Sequence, residues 1–129
     1  MIKHVFIIEK TESGYSAYSE NFDEIPVGTT GVNLKELKIN IIDALNSHNQ
    51  LYALPELSIK DVQIKLDLPQ FFSFYKVINA SDLGKRIGMN KTLISQYVNG
   101  HKKPSEKQVA KILEGVKQLG RELSSLELV

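Results

Sequence analysis

Five polar side chains, Lys91, Thr92, Ser95, Gln96 and Asn99, recur at spacings that place them along one side of a helix. Glutamine can hold adenine through two hydrogen bonds, and lysine, threonine and serine can reach base edges or phosphate oxygens. That side of the helix therefore has the chemistry of a major-groove reader. Lys85, Arg86, Lys102, Lys103, Lys107 and Lys111 flank it, and Glu106 is the only acid from residue 85 to 111. Flanking cations of this kind contact phosphates, which position a protein on the duplex without carrying sequence information. A solvated helix face has the same composition taken alone; the density of cations on both sides favours a polyanion.

Other chemistry is poorly supported. Glu20, Asp23, Glu24 and Asp61 are the acids from which a metal-binding carboxylate set would be drawn, but Asp23-Glu24 sits in a turn, where acids are common for local reasons. His4 and His48 have no histidine or cysteine at ligand spacing, so no metal site is assigned. Gly28-Thr29-Thr30-Gly31 has no following lysine-hydroxyl pair as in a phosphate loop and reads as a turn before a helix. The absence of cysteine excludes disulfides, thiolate metal sites and a cysteine nucleophile. No catalytic residue and no cofactor is assigned, and the chain is expected not to be an enzyme.

The elements that must position the polar row can be read from the residues around it. Ser81 is expected to cap a short helix whose Leu83 and Ile87 face inward, with Gly88 ending it where a positive φ is cheap. Asn90 caps the next helix, which buries Leu93 or Ile94 together with Tyr97, and Asn99-Gly100 closes it. Gly84 removes a side chain where two helices would cross steeply, as in a helix-turn-helix. Upstream, Pro69 suits a helix start, and Phe71, Phe72, Phe74, Tyr75, Val77 and Ile78 read as an aromatic helix supplying core to the helices after it. Downstream, Ser105 and Gln108 form a capping-box pattern that opens a last helix. Its Val109, Ile112, Val116, Leu119, Leu123 and Leu126 alternate by threes and fours like a short coiled-coil seam, which Gly115 and Gly120 weaken. Leu119, Leu123 and Leu126 are either a dimerisation surface or packed within one chain.

The first half has a different pattern. Lys3 to Glu9 is mostly apolar and β-branched or aromatic, as in a central strand; Tyr15 to Ser19 returns as a second, and Ile25-Pro26-Val27 is a short edge strand. Asn33 and Glu36 have N-cap spacing, and Leu34, Leu37, Ile41, Ile42 and Leu45 line one helical face. Val62, Ile64 and Leu66 then alternate with polar residues, as in a strand with one dry face. The order is β-β-β-α-β. One helix covers only one face of such a sheet, which leaves a docking surface.

At 129 residues, with 42% hydrophobic and 24% charged, the chain suits one domain or two very small ones and is not of disordered or fibrous type. Its net charge of +1 hides a division: residues 1–70 carry six lysines against ten acids, a net of −4, and residues 71–129 carry ten cations against five acids, a net of +5. Two units with different partners are expected from that asymmetry, at 1–69 and 70–129. The run Val5 to Ile8 is too short for a signal or a membrane span, so a cytoplasmic protein with no membrane partner is expected.

The run from Ser81 to Gly100 resembles the helix-turn-helix of the Xre/Cro repressors, with Leu83, Gly84, Ile87, Gly88, Ile94 and Tyr97 on the family's structural positions. It departs at Gly84, where those proteins usually have alanine. An acidic β-β-β-α-β unit followed by such a module resembles a HicB-type antitoxin, with Ile25 to Gly28 and Asn33 to Leu37 as the best local match in the first unit. The tyrosine-proline-aspartate surroundings usual at the second strand are replaced by Ser19 to Asp23, so no toxin-contacting residue is assigned.

The resemblance implies an α+β chain: a partial RNase H-like unit that binds and neutralises a HicA-type toxin, a small RNA-cleaving protein, and an all-α helix-turn-helix domain that represses its own operon. Within it, Lys91, Thr92, Ser95, Gln96 and Asn99 would read bases and Lys85, Arg86, Lys102, Lys103 and Lys107 would hold phosphates of double-stranded operator DNA, with the chain at least a dimer. Two other readings compete: a repressor whose first domain senses a small ligand, and a metal-dependent nuclease built on the first unit.

Overall fold

The computed structural model describes residues 3–128, which form two compact units, the first ending at Phe74 and the second starting at Tyr75. The chain is α+β, with a four-stranded mixed sheet in the first unit and helices in both.

In the first unit β1 (His4–Thr11) turns back into β2 (Gly14–Ser19), β3 (Gly28–Gly31) comes next, and α1 (Leu34–Leu51) crosses to β4 (Val62–Leu66) through a 3₁₀ turn at Ile59–Asp61. The sheet order is β3-β2-β1-β4, with β1 and β4 parallel and the other pairs antiparallel. β1 is central, as its apolar run requires. Phe6 opposes Ile64 and Ser19, Ile8 opposes Leu66 and Ala17, and this face packs on Leu37, Ile41 and Leu45 of α1, all three fully buried. Asn33 caps α1, its Oδ1 accepting the Glu36 N–H at 2.8 Å. Leu34, expected on the packed face, stays exposed in the first turn.

Two expectations change here. The third strand is not Ile25 to Val27 but Gly28–Gly31, the segment read as a turn. Pro26 has no N–H to give a ladder, and the chain at 21–25 is folded into a turn by the Ile25 N–H on the Asn21 carbonyl, so pairing with β2 starts beyond it. Glycine is required at 31 because a Cβ there would stand 2.6 Å from the Leu37 backbone nitrogen, where α1 begins.

The aromatic helix also belongs elsewhere. α2 (Leu68–Phe74) stops at Phe74, buries Leu68 and Phe72, and is tied to β1: the Gln70 amide donates to the Lys10 carbonyl at 2.7 Å and accepts the Lys10 N–H at 2.9 Å. It completes the first unit instead of supplying core to the second, so the division falls after Phe74 and not at Pro69.

The second unit is α3 (Ala80–Ile87), α4 (Lys91–Val98) and α5 (Glu106–Ser124). Leu83, Met89, Ile94, Tyr97 and Ile112 are its buried side chains. α5 ends at Ser124, so Leu126 lies past the helix and does not extend the seam. Among the described residues no helix is long and apolar enough to cross a membrane.

Candidate nucleic-acid interface

Three caps and one tight crossing hold α3 and α4 in place. Asn79, not Ser81, caps α3: its Oδ1 accepts the Asp82 N–H at 3.0 Å, and Ser81 falls inside the first turn. The Asn79-to-Asp82 spacing carries that signal in the sequence, but a nearby serine of equal capping propensity obscured it. Gly88 ends α3 in the left-handed region at φ 70°, its N–H on the Gly84 carbonyl. Asn90 caps α4 by accepting the N–H groups of Thr92 at 2.8 Å and Leu93 at 3.3 Å.

Where the helices cross, a Cβ on Gly84 would stand 3.1 Å from Ile94 Cγ2 and 3.0 Å from the Met89 carbonyl oxygen. Fully buried Ile94 therefore rests against the α3 backbone itself, and Ile94, not Leu93, is the main anchor of α4.

With Ile94 and Tyr97 inward, the opposite side of α4 is fixed. Lys91, Thr92, Ser95 and Asn99 are exposed and Gln96 is half-buried. Asn99 donates from its side-chain amide to Ser95 Oγ at 3.2 Å, which orders two of the five in one row. Lys91, Ser95 and Asn99 also line an open cleft of about 330 Å³ with Asn79, Ala80 and Ser81. Asn79 and Ser81 thus border the polar row, a placement the sequence did not suggest. The Gln96 carbonyl accepts two N–H groups from the loop beyond α4, His101 at 2.8 Å and Lys102 at 3.2 Å, so the exposed Lys102 and Lys103 come after α4 on a pinned turn.

The cations divide into two sets. Lys102, Lys103 and Lys107 are exposed on the loop and the first turn of α5. Lys85 is exposed on α3, 3.8 Å from Asp82, a contact that surface hydration makes weak. Arg86 is not with them: it is paired with Glu122 of α5 and lines a groove with Lys111, Glu114 and Gly115. On the same helix Arg121 donates to Glu114 at 2.7 Å, and that hydrogen bond holds the Glu114 carboxyl below its usual range.

Leu119 is half-buried, whereas Leu123 and Leu126 are exposed. Gly115 has a reason inside the chain, since a Cβ there would meet Ile87 Cγ2 at 2.4 Å, so α5 approaches α3 at backbone distance.

In the first unit the acids do not converge. Glu20 pairs with Lys65 at 3.7 Å, Asp61 accepts the Ser58 N–H at 2.9 Å, and among the described residues no three of His, Asp and Glu come together as a metal ion would need. The sheet face away from α1 carries Val5, Ile7, Glu9, Tyr18, Gln63 and Lys65. Burial and the adjacent Glu9 charge raise the Tyr18 phenol above its ordinary value. In comparisons with known proteins, no family model matches this chain and no curated protein matches it.

Proposed function

We propose that the chain is an antitoxin of the HicB type, whose second unit represses its own operon by binding operator DNA and whose first unit neutralises a small RNA-cleaving toxin. The observation that carries this reading is the polar row of α4: Lys91, Thr92, Ser95 and Asn99 stand exposed on a helix seated on Gly84 through Ile94, beside the pinned Lys102-Lys103 loop. Side chains of these types on a second helix so placed can enter a major groove while the lysines meet the flanking phosphates.

The first unit supports the other half. Its β-β-β-α-β order, with the strands arranged β3-β2-β1-β4 and α1 packed on one face of the sheet, agrees with a partial RNase H-like fold. Residues 1–74 hold six lysines and ten acids, a net of −4, whereas a ribonuclease must present cationic surface to its substrate. Binding there blocks RNA with no chemistry by the antitoxin. A nuclease reading lacks support from the scattered acids, and no observation in the first unit favours a sensor.

The test combines DNA binding with growth rescue. The chain should bind a duplex from its own promoter selectively and with steep salt dependence, and should protect cells expressing the neighbouring toxin frame. Gln96→Ala should weaken operator selectivity and leave protection intact. Equal affinity for all duplexes at every salt concentration would overturn the repressor half, and failure of the folded chain to protect would overturn the antitoxin half.

A further inference from the structure

Asn99 closes α4 and is followed by Gly100, and no other asparagine of the chain has glycine after it. Both residues are exposed. Asn33, Asn79 and Asn90 are held through Oδ1 as helix N-caps. The Asn99 amide instead engages its nitrogen, on Ser95 Oγ at 3.2 Å.

Gly100 supplies a nucleophile beside that amide. Its backbone nitrogen has no following side chain to shield it, the residue stands at φ 76°, and its N–H makes a long 3.2 Å bond to the Tyr97 carbonyl where α4 ends. To bring this nitrogen onto Asn99 Cγ, the peptide after Asn99 must turn from its ψ of 1°. That motion is resisted by the hydrogen bonds of the last turn and not by packing, since Asn99, Gly100 and His101 are all exposed. Attack within one chain then has the advantage of proximity.

We propose that Asn99 is a self-modification site, at which the Gly100 nitrogen attacks Cγ and the polar row of α4 thereby gains a carboxylate that weakens its hold on nucleic acid. The Gly100 N–H loses its proton to water, the N–Cγ bond forms, the Cγ–Nδ2 bond breaks, and the departing nitrogen takes up a proton and leaves as ammonia. The resulting cyclic imide is opened by water at either carbonyl, which returns a proton to the Gly100 nitrogen and leaves aspartate or isoaspartate. In sum, an amide and a water become a carboxylate and an ammonium ion, with no oxidant or reductant.

Either product puts a negative charge in the cleft that Lys91, Ser95 and Asn99 line, at the C-terminal end of α4, where the helix dipole disfavours an anion. There it repels phosphate and competes with it for the neighbouring lysines. Isoaspartate also lengthens the main chain just before the turn that carries Lys102 and Lys103. The conversion stands on this residue pair alone; its effect on operator DNA rests on the reading above.

The full chain, fresh and aged at about 37 °C and about pH 8, tests both claims. Peptide mass mapping should show a gain of about 1 Da at Asn99 that grows with time, and enzymatic isoaspartate labelling should find part of it there. Asn99→Gln, whose extra methylene enlarges the ring to be closed, should show no such gain at that position. Asn99→Asp should bind promoter duplex at least about tenfold more weakly than the fresh parent at low salt, and the aged parent should weaken in proportion to its converted fraction.

Conversion no faster at Asn99 than at the other asparagines, or equal duplex affinity for the fresh parent and Asn99→Asp, overturns the proposal. A fresh parent that binds all duplexes alike, or none, sinks the operator reading and the consequence drawn from it, while the mass gain at Asn99 decides the conversion by itself.

Discussion

Alanine at Gly115 should loosen α5 from α3, although alanine is the better helix former. The added Cβ would stand 2.4 Å from Ile87 Cγ2 and 3.2 Å from Leu83 Cδ1, whereas non-bonded carbons rest at about 3.5–4.0 Å. Ile87 is β-branched and sits in a helix, where one χ1 rotamer dominates, so Cγ2 cannot swing aside. α5 must retreat by about 1 Å, the difference between the two separations. Overpacking of this kind costs about 1–3 kcal/mol, and so large a shortfall belongs at the upper end. Helix propensity returns about 1 kcal/mol. The net loss is then about 2 kcal/mol, or about 30-fold in the opening equilibrium of the second unit.

Amide hydrogen exchange reads this unit by unit, which a global melt of a two-unit chain does not. Core amides of α3, α4 and α5 should exchange about 30-fold faster, and those of β1 and α1 should not change. In an Ile87→Ala background the same alanine fills vacated space and should be neutral or stabilising, a coupling of at least about 1 kcal/mol. Slower exchange in Gly115→Ala, or effects of the two changes that add within about 0.5 kcal/mol, would refute the reasoning.

Thr92→Ala should relax preference at one or two base pairs, whereas Lys102→Ala or Lys103→Ala should weaken all duplexes alike and reduce the salt slope by about one unit per lost phosphate contact; fluorescence anisotropy on operator and scrambled duplexes distinguishes them. Arg86→Ala should leave the salt slope unchanged, because that guanidinium is held by Glu122. A chain ending at Pro69 should fail to fold by circular dichroism, and one ending at Phe74 should fold. The shorter chain loses buried Phe72 at about 3–5 kcal/mol and the two Gln70 bonds to Lys10 at about 1 kcal/mol each.

The Tyr18 phenol should ionise above free tyrosine in an ultraviolet titration. A raised folded-state value keeps the neutral form, so its contribution to stability is fully present below the unfolded tyrosine pKa and is lost as pH rises through the folded one. Glu9→Gln should bring the phenol part of the way back, since burial is the larger cause.

The sequence by itself determined the elements whose cause is local. Asn33 and Asn90 cap α1 and α4 because their side chains reach N–H groups two or three residues on. The dry face of β4 and the packed face of α1 arise from side-chain period, and the division of charge between the halves is arithmetic on the residues. Which side of α4 stays in water was legible for the same reason, since Ile94 and Tyr97 leave the row of Lys91, Thr92, Ser95 and Asn99 opposite.

Only the tertiary structure decided what depends on a distant neighbour. At 28–31 two glycines, poor strand formers, mask the strand preference of Thr29 and Thr30, yet that segment pairs with β2, and Gly31 lets α1 approach because it is small. α2 reads as generic apolar helix, and its allegiance was settled by Lys10, sixty residues away, whose backbone matches the Gln70 amide. Arg86 reads in sequence as one of a run of cations, and only the return of α5 past it supplies Glu122 as its partner. Helical period tells which residues share a face; only packing tells what that face meets.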